Sequence, residues 1–315
     1  MILVSNKIYD LTVGEFSKFF GINNEEMPPE CVEIINKHDF RYTCCSKIER
    51  DRIILNFVKK MDNKIYSLSG KYQEERWEKG WGENLKNFVE NDFDTKFLIP
   101  KYNKQSSYIV LKGDYVKPVD LNFEINFIEL IRAFVFYRYL KDQNSIHEFG
   151  CGSAYNLVAF SEIDPDKQYY GYDWVQQSIS IIDAVRKHLG HNVHGSIFNM
   201  FDPNRDLQIN GGVALTIGAL EQLGSDHHKF IDFLLDKPFS RYVHLNSISE
   251  LYDSDNSLVD YLIRRFEKSR NYCNGFFGRL RKLEKDGVIN ILKMQKVSCG
   301  SKYGDVYSIT VWEKT

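Results

Sequence analysis

The chain has 315 residues; 43% are hydrophobic, 27% charged and 14% aromatic, and 41 Lys and Arg against 43 Asp and Glu leave a formal net charge of −2. That composition excludes a disordered chain, and the near-balance removes the basic surplus with which a non-specific nucleic-acid binder neutralises phosphates. It contains no run of about 18 uncharged apolar residues, so no membrane-spanning helix is expected.

The N-terminal apolar tip is soon broken by Lys7, Asp10 and Glu15, so it reads as no export signal. Six cysteines, Cys31, Cys44, Cys45, Cys151, Cys273 and Cys299, form no CxxC pair. They are expected as free thiols in a reducing, cytoplasmic setting. Residues 27–38 open with two prolines, which suit a first helical turn. Residues 47–62 place Ile48, Ile53, Leu55, Phe57 and Val58 on a broad apolar stripe. Residues 70–91 read as a helix interrupted near Gly80 and Gly82, and residues 107–111 as a short strand. Between 121 and 142, Phe123, Phe127, Leu130, Ile131 and Phe134 recur at steps of three and four, the signature of an amphipathic, mostly buried helix.

From residue 145 strands and helices alternate. Strands are expected at 145–149, 168–172, around 191–197, at 212–217 and at 240–246. Helices are expected at about 155–163, 175–189 (closed by Gly190) and 226–236, with one long helix or two over 257–287. This alternation predicts a parallel sheet. Residues 288–297 and 305–313 are two strands with no helix between them, so one must run antiparallel.

The most informative stretch is Ile146-His147-Glu148-Phe149-Gly150-Cys151-Gly152-Ser153-Ala154-Tyr155, where a strand becomes a helix. Glycines there let the backbone approach a ligand, and the helix N-terminus offers unpaired N–H groups. The next strand ends at Asp173-Trp174, where an acid can take both hydroxyls of a ribose. A dinucleotide fingerprint needs a small residue at position 155, and Tyr155 disfavours it.

Glu148, Gly150, Gly152, Ala154 and Asp173 together match another pattern: an acid before a GxGx[G/A] turn and an acid ending the second strand. On these residues, positions from about 120 to 315 resemble a class I S-adenosylmethionine (SAM)-dependent methyltransferase. Segments near 219–222 and 276–292 are similar to methyltransferases associated with bacterial surface-sugar gene clusters. The resemblance implies an α/β fold with a seven-stranded, mostly parallel doubly wound sheet and an antiparallel C-terminal hairpin. A mainly helical N-terminal extension or lid (1–120) precedes the methyltransferase domain (121–315).

The resemblance also implies roles. Glu148 receives the methionyl ammonium, directly or through water. Gly150 and Gly152 admit the methionyl part, Asp173 binds the ribose, and Trp174 stacks on adenine or serves as a core aromatic. Ser196, Ile197 and Phe198 border adenine, although the family often has Asp at the position of Ser196. Gly218 belongs to the segment after the fourth strand. That segment often ends Glu-His in the family; here it ends Glu221-Gln222, which weakens position 222 as a base. Catalytic candidates are Glu221, Gln222 and His244, and His244 equally suits a core histidine within its strand. Tyr72, Trp77 and Trp81 suit a lid or a core stripe, and Tyr252 the substrate side. The histidines at 188, 191, 194, 227 and 228 do not share a face, so no metal is expected. The basic run from Arg264 to Lys282 is interleaved with acids and reads as a solvated helix face able to attract a phosphorylated substrate. The implied activity is methyl transfer to O or N of a small polar metabolite: a sugar, a sugar nucleotide or a phosphorylated compound. RNA or protein methylation and a non-catalytic SAM-binding module are the alternatives. No membrane partner is expected, a nucleic-acid partner is disfavoured, and the oligomeric state is open.

Overall fold

In a computed structural model the chain is described over residues 7–304 and 307–315. The apolar tip at 1–6 and the start of the closing strand, Asp305 and Val306, lie outside the described residues.

The alternating segments build one sheet. Its strands are β5 (Ser145–Phe149), β6 (Gln168–Asp173), β7 (Val193–Ile197), β8 (Val213–Ile217), β9 (Arg241–Asn246), β10 (Ile289–Lys296) and β12 (Ser308–Lys314), in the order β10-β12-β9-β8-β5-β6-β7. Strands β5 to β9 pair in parallel, and β12 runs antiparallel to both β9 and β10. In β5 four successive residues, Ile146 to Phe149, are buried. A parallel strand covered by helices on both faces reads as continuous burial rather than alternation. The chain leaves β5 in one direction, to β6 and β7, and returns on its other side, to β8. That reversal opens a crevice at the C-terminal ends of β5 and β8, where ligands bind in open α/β sheets.

Helices α6 (Tyr155–Ile163), α7 (Gln176–Leu189), α8 (His228–Asp236), α9 (Leu258–Ser269) and α10 (Phe276–Lys285) cover the sheet. Helix α7 stops where expected, at Gly190, whose φ of 74° suits a residue without Cβ. The stretch 257–287 is two helices because Asn271 and Gly275 take left-handed backbone.

The extension contains helices α1 (Val13–Phe20), α2 (Pro29–Lys37), α3 (Lys47–Asp62) and α4 (Glu74–Glu90). It also contains strands β1 (Ile8–Asp10), β2 (Arg41–Cys44), β3 (Ile109–Leu111) and β4 (Asp114–Pro118), of which only β3 was expected. These form a second, antiparallel sheet whose last strand, β11 (Cys299–Ser301), comes from the far end of the chain and pairs with β3. A boundary at 120 therefore divides the sequence more sharply than it divides the sheets.

Two helical expectations change. Helix α4 runs through Gly80 and Gly82 without a break, because neither glycine takes positive φ and Trp81, Asn84 and Phe88 bury one continuous face. A Cβ at Gly82 would sit 3.5 Å from Gln177 Cγ, so this glycine lies where α4 packs on α7. The buried side of α3 is Ile53, Phe57 and Met61; Ile48 is 72% exposed and Leu55 52%, so the broader stripe does not exist.

The extension and the main sheet share a core through α5 (Phe123–Val135), which continues as a wider π turn over Phe136–Leu140. Phe20 of α1 stacks on Phe134 of α5 with ring centroids 4.3 Å apart, and Phe16 and Phe20 both lie against Phe127. Phe134 is fully buried. We expect Phe134→Ala to lower stability by about 3–5 kcal/mol, because the cavity adds to the lost transfer free energy. Urea denaturation checks this: one shared transition, shifted to lower denaturant, is expected, and a shift below about 1 kcal/mol would contradict the packing described.

Candidate active site

The turn after β5 carries three residues in left-handed backbone: Gly150 (φ 74°), Gly152 (φ 55°) and Ala154 (φ 58°). Its amides turn toward the end of β6. Gly150 N–H and Cys151 N–H both donate to the Tyr172 carbonyl, at 2.7 and 3.1 Å. Gly152 N–H donates to Asp173 Oδ2 at 2.9 Å, and Val175 N–H to Oδ1 at 3.3 Å. Substitution at the glycines meets neighbours at once. A Cβ at Gly150 would lie 2.4 Å from Ala219 Cβ, and one at Gly152 would lie 2.6 Å from the Trp81 ring. Glycine at 152 is thus required by Trp81 of helix α4 as well as by its φ.

This turn floors a cavity of ≈ 590 Å³, within the usual range of small-molecule sites, about 300–1,000 Å³. Asp173, Trp174 and Phe198 form part of the wall, together with Gly218, Glu221 and Gln222. Trp174 packs against Phe201 with centroids 5.5 Å apart. The extension closes the other side. Trp77 and Trp81 stack at 5.5 Å, and both line the cavity. Ser153 Oγ donates to the Leu98 carbonyl at 2.5 Å, and Gln222 Oε1 accepts from Ser69 Oγ at 2.8 Å. Both bonds tie the extension to the turn and to the segment after β8.

Several sequence candidates lie elsewhere. Tyr72 lies in the turn before α4, is 85% exposed and lines no part of the cavity, whereas Trp77 and Trp81 on α4 do. Ser196 and Ile197 end β7, the edge strand, and are exposed outside the cavity; of that trio only Phe198 reaches the wall. Tyr252 is buried away from the cavity, its hydroxyl bonded to Ser247 Oγ at 2.6 Å and Glu267 Oε1 at 2.8 Å.

His244 is fully buried in the sheet and does not reach the cavity. Trp312 Nε1 donates to its Nε2 at 3.0 Å, so Nδ1 carries the proton and donates to Thr216 Oγ1 at 2.8 Å. Burial pushes its pKa down to about 3. A neutral ring with both nitrogens engaged has no free position for base catalysis, so His244 is structural. The chain of bonds continues: Asn246 Nδ2 donates to Thr216 Oγ1 at 2.7 Å, and Asn246 Oδ1 accepts from the amides of Ala219 and Leu220 at 2.9 and 3.0 Å. His244 thereby helps anchor the segment that presents Glu221 and Gln222. His227 and His228 also lie off the cavity. Among the described residues no group of His, Cys, Asp and Glu is arranged to hold a metal ion, and no helix is long and apolar enough to cross a membrane.

Glu148 is completely buried behind Asn156, whose Nδ2 donates to Glu148 Oε1 at 2.7 Å; among the described residues Oε2 has no hydrogen-bond partner. Asn156 lines the cavity and Glu148 does not. Arg132 stands beside this pair, its guanidinium 4.1 Å from the Tyr155 ring centre and its Nη2 donating to the Tyr155 hydroxyl at 3.2 Å. Asn156 and Arg132 escaped sequence reasoning, and Tyr155 entered it only as the residue that disfavours a dinucleotide fingerprint. The available signal was Arg132 itself, a charge on the buried face of an otherwise apolar helix.

No family model matches the chain, and no curated protein matches it. Among solved structures it is similar to an rRNA methylase from Escherichia coli (11% identity over 74% of this chain and 76% of that chain, TM-score 0.44). It is also similar to the 16S rRNA methylase ArmA (15% identity, 75% and 98%, TM-score 0.44). A third is magnesium protoporphyrin IX methyltransferase from Synechocystis PCC 6803 with bound SAH (11% identity, 60% and 82%, TM-score 0.45).

The two carboxyls at the turn hold protons unusually well. Burial raises the Glu148 pKa to about 8, against the opposing Asn156 bond and Arg132 charge, and burial raises that of Asp173 to about 6. Both values exceed those of the unfolded chain. Their contribution to stability is therefore complete below about pH 4 and is lost as pH climbs through the folded values. We expect Glu148→Gln, which keeps the acceptor for Asn156, to flatten the fall in Tm between about pH 5 and pH 8. An unchanged Tm–pH slope would show that Glu148 gains no proton affinity on folding.

Proposed function

We propose that this chain is a SAM-dependent methyltransferase that methylates O or N of a small polar metabolite such as a sugar, a sugar nucleotide or a phosphorylated compound. One observation carries the reading. The glycine turn at the C-terminal end of β5 meets the β6 carboxylate on the floor of a cavity that the extension covers.

The residues present fit the cofactor. Gly150 and Gly152 keep the turn free of side chains. Asp173 accepts from the amides of Gly152 and Val175 and also lines the cavity, so its carboxylate is placed to meet ribose hydroxyls there. Trp174 and Phe198 offer apolar surface to a purine. Asn156, beside the turn, also lines the cavity, and Glu148 acts on it from behind as a positioning residue.

When bound, SAM supplies an electrophilic methyl group on a sulfonium. The chain's own part is to bind and align. Holding a nucleophile in attack geometry can contribute roughly 7–11 kcal/mol toward the barrier. The stacked Trp77 and Trp81 exclude water from the turn, which favours discharge of the sulfonium charge. A hydroxyl acceptor needs a group to take its proton, and Glu221 is the cavity carboxylate on the segment after β8. Gln222 is held by Ser69 and is suited to orientation, not proton removal.

Covering of the cavity by α4 favours a small acceptor over a macromolecule. Calorimetry with S-adenosylhomocysteine (SAH) tests the cofactor site: Asp173→Asn should weaken binding by about tenfold or more, given the worth of a hydrogen bond to a charged group. Unchanged affinity would refute the ribose role of Asp173. Mass spectrometry of a metabolite library incubated with isotopically labelled SAM should show one labelled small molecule in a reaction that Asp173→Asn slows.

A further inference from the structure

The corner of the cavity beside the glycine turn is backed by a buried cation. Glu124 and Ile128 of α5 line the cavity, and Arg132 follows Ile128 one turn later on the same face. Arg132 is 6% exposed and does not itself line the cavity; Tyr155 and Asn156, to which it donates, both do. Its guanidinium lies 4.1 Å from the Tyr155 ring centre, and Nη2 donates to the Tyr155 hydroxyl at 3.2 Å. Nη1 makes a longer bond, 3.5 Å, to Asn156 Oδ1, and Asn156 Nδ2 in turn donates to Glu148.

These bonds fix directions. A guanidinium only donates, so the Tyr155 oxygen accepts from Arg132 and the phenol hydrogen must go to a different acceptor. Among the described residues none takes it. Asn156 gives one amide hydrogen to Glu148 and keeps a second. Both residues belong to the first turn of α6. Its N-cap, Ala154, supplies no side-chain cap, so the leading amides add partial positive charge at the same place. Behind them, Arg132 pairs with no carboxylate among the described residues, and its Nε and Glu148 Oε2 are both buried without a hydrogen-bond partner there. Glu148 is close enough to feel the charge of Arg132, yet burial keeps a proton on it up to about pH 8, so at neutral pH it compensates little of that charge. A buried guanidinium without a counter-charge is costly, and an anion held just in front of it relieves the cost.

We propose that the Tyr155 hydroxyl, set by Arg132, and the second Asn156 N–H hold the carboxylate of the cofactor's methionyl head against the first turn of α6. This rests on the methyltransferase reading above. Tyr155 meets the ligand. Arg132 is a positioning residue: it turns the phenol hydrogen outward and stands as a positive charge behind it. Two neighbouring donors suit the two oxygens of one carboxylate. The assignment also gives position 155 a use for its large side chain, where a dinucleotide turn needs a small one.

The test is calorimetry on the full chain with SAH and with decarboxylated SAH, which keeps the adenosine, the thioether and the ammonium and lacks only the carboxylate. The variants are Tyr155→Phe, which keeps the ring against Arg132, together with Arg132→Gln and Arg132→Lys. Thermal melting confirms that they fold, and Tyr155→Phe decides alone if an Arg132 variant does not. Wild type should bind SAH roughly tenfold or more tightly than the decarboxylated analogue. Tyr155→Phe should weaken SAH by roughly tenfold and leave the analogue within about twofold of wild type. Arg132→Gln should act in the same way, and Arg132→Lys, which keeps the charge, should recover part of the loss. Equal weakening of both ligands by Tyr155→Phe would reduce the pair to a packing role and overturn the proposal, as would an SAH affinity that this variant leaves unchanged. SAH binding to wild type without preference over the analogue would remove the carboxylate site and leave the cofactor reading standing. Failure of wild type to bind either ligand would remove both.

Discussion

The carboxylate of Asp173 accepts main-chain N–H groups from two places at once: Gly152 in the turn after β5 and Val175 at the start of α7. Buried turns are costly because their amides lose water, and each needs a partner. Here the end of β6 supplies three of them, since the Tyr172 carbonyl takes the two amides that precede Gly152, and Ala154 N–H turns back to the Cys151 carbonyl. The floor of the cavity is thereby fixed before any ligand arrives. Its cost is visible in the raised proton affinity of Asp173, and it limits what can change. The turn cannot gain side chains at 150 or 152, and the acid cannot leave without freeing buried donors.

A second buried polar chain performs the same service on the other side of the crevice. It runs from Trp312 in β12 through His244 and Thr216 to Asn246, and ends on the amides of Ala219 and Leu220. Three neighbouring strands are thus coupled to the short segment that carries Glu221. Every hydrogen bond in this chain has a determinate direction once the indole is recognised as donor only. Such a network favours one arrangement of the segment over near alternatives. The extension adds a third constraint from above, through Trp81 on Gly152 and Leu98 on Ser153.

The main sheet was legible because its signals are local. Each strand is a short apolar run, each helix follows within a few residues, and Gly150, Gly152 and Asp173 fall at consecutive strand ends. The extension was less legible. Strands β1, β2 and β4 are three to five residues long with polar side chains among them, and their pairing is fixed by partners far away in sequence. Likewise, Gly80 and Gly82 read as breakers, yet packing of α4 against α7 overrides their weak propensity. In the site, Tyr252 and Tyr72 were misplaced because both lie in connecting segments, where no periodicity says which way a side chain turns. The approach of Asn156 on α6 to Arg132 on α5 joins separate elements, as does the cavity lining that α4 completes. No window along the chain contains that information.

The pairing of β11 with β3 sets an order on biosynthesis. About 190 residues separate the two strands, so at typical translation rates β3 waits on the order of ten to forty seconds for its neighbour. During that interval its unpaired edge is open to any other extended chain nearby, the hazard that exposed strand edges present. The nascent polypeptide thus carries an incomplete sheet until residues 299–301 have been made, and assembly of β1 to β4 into the full sheet waits on them.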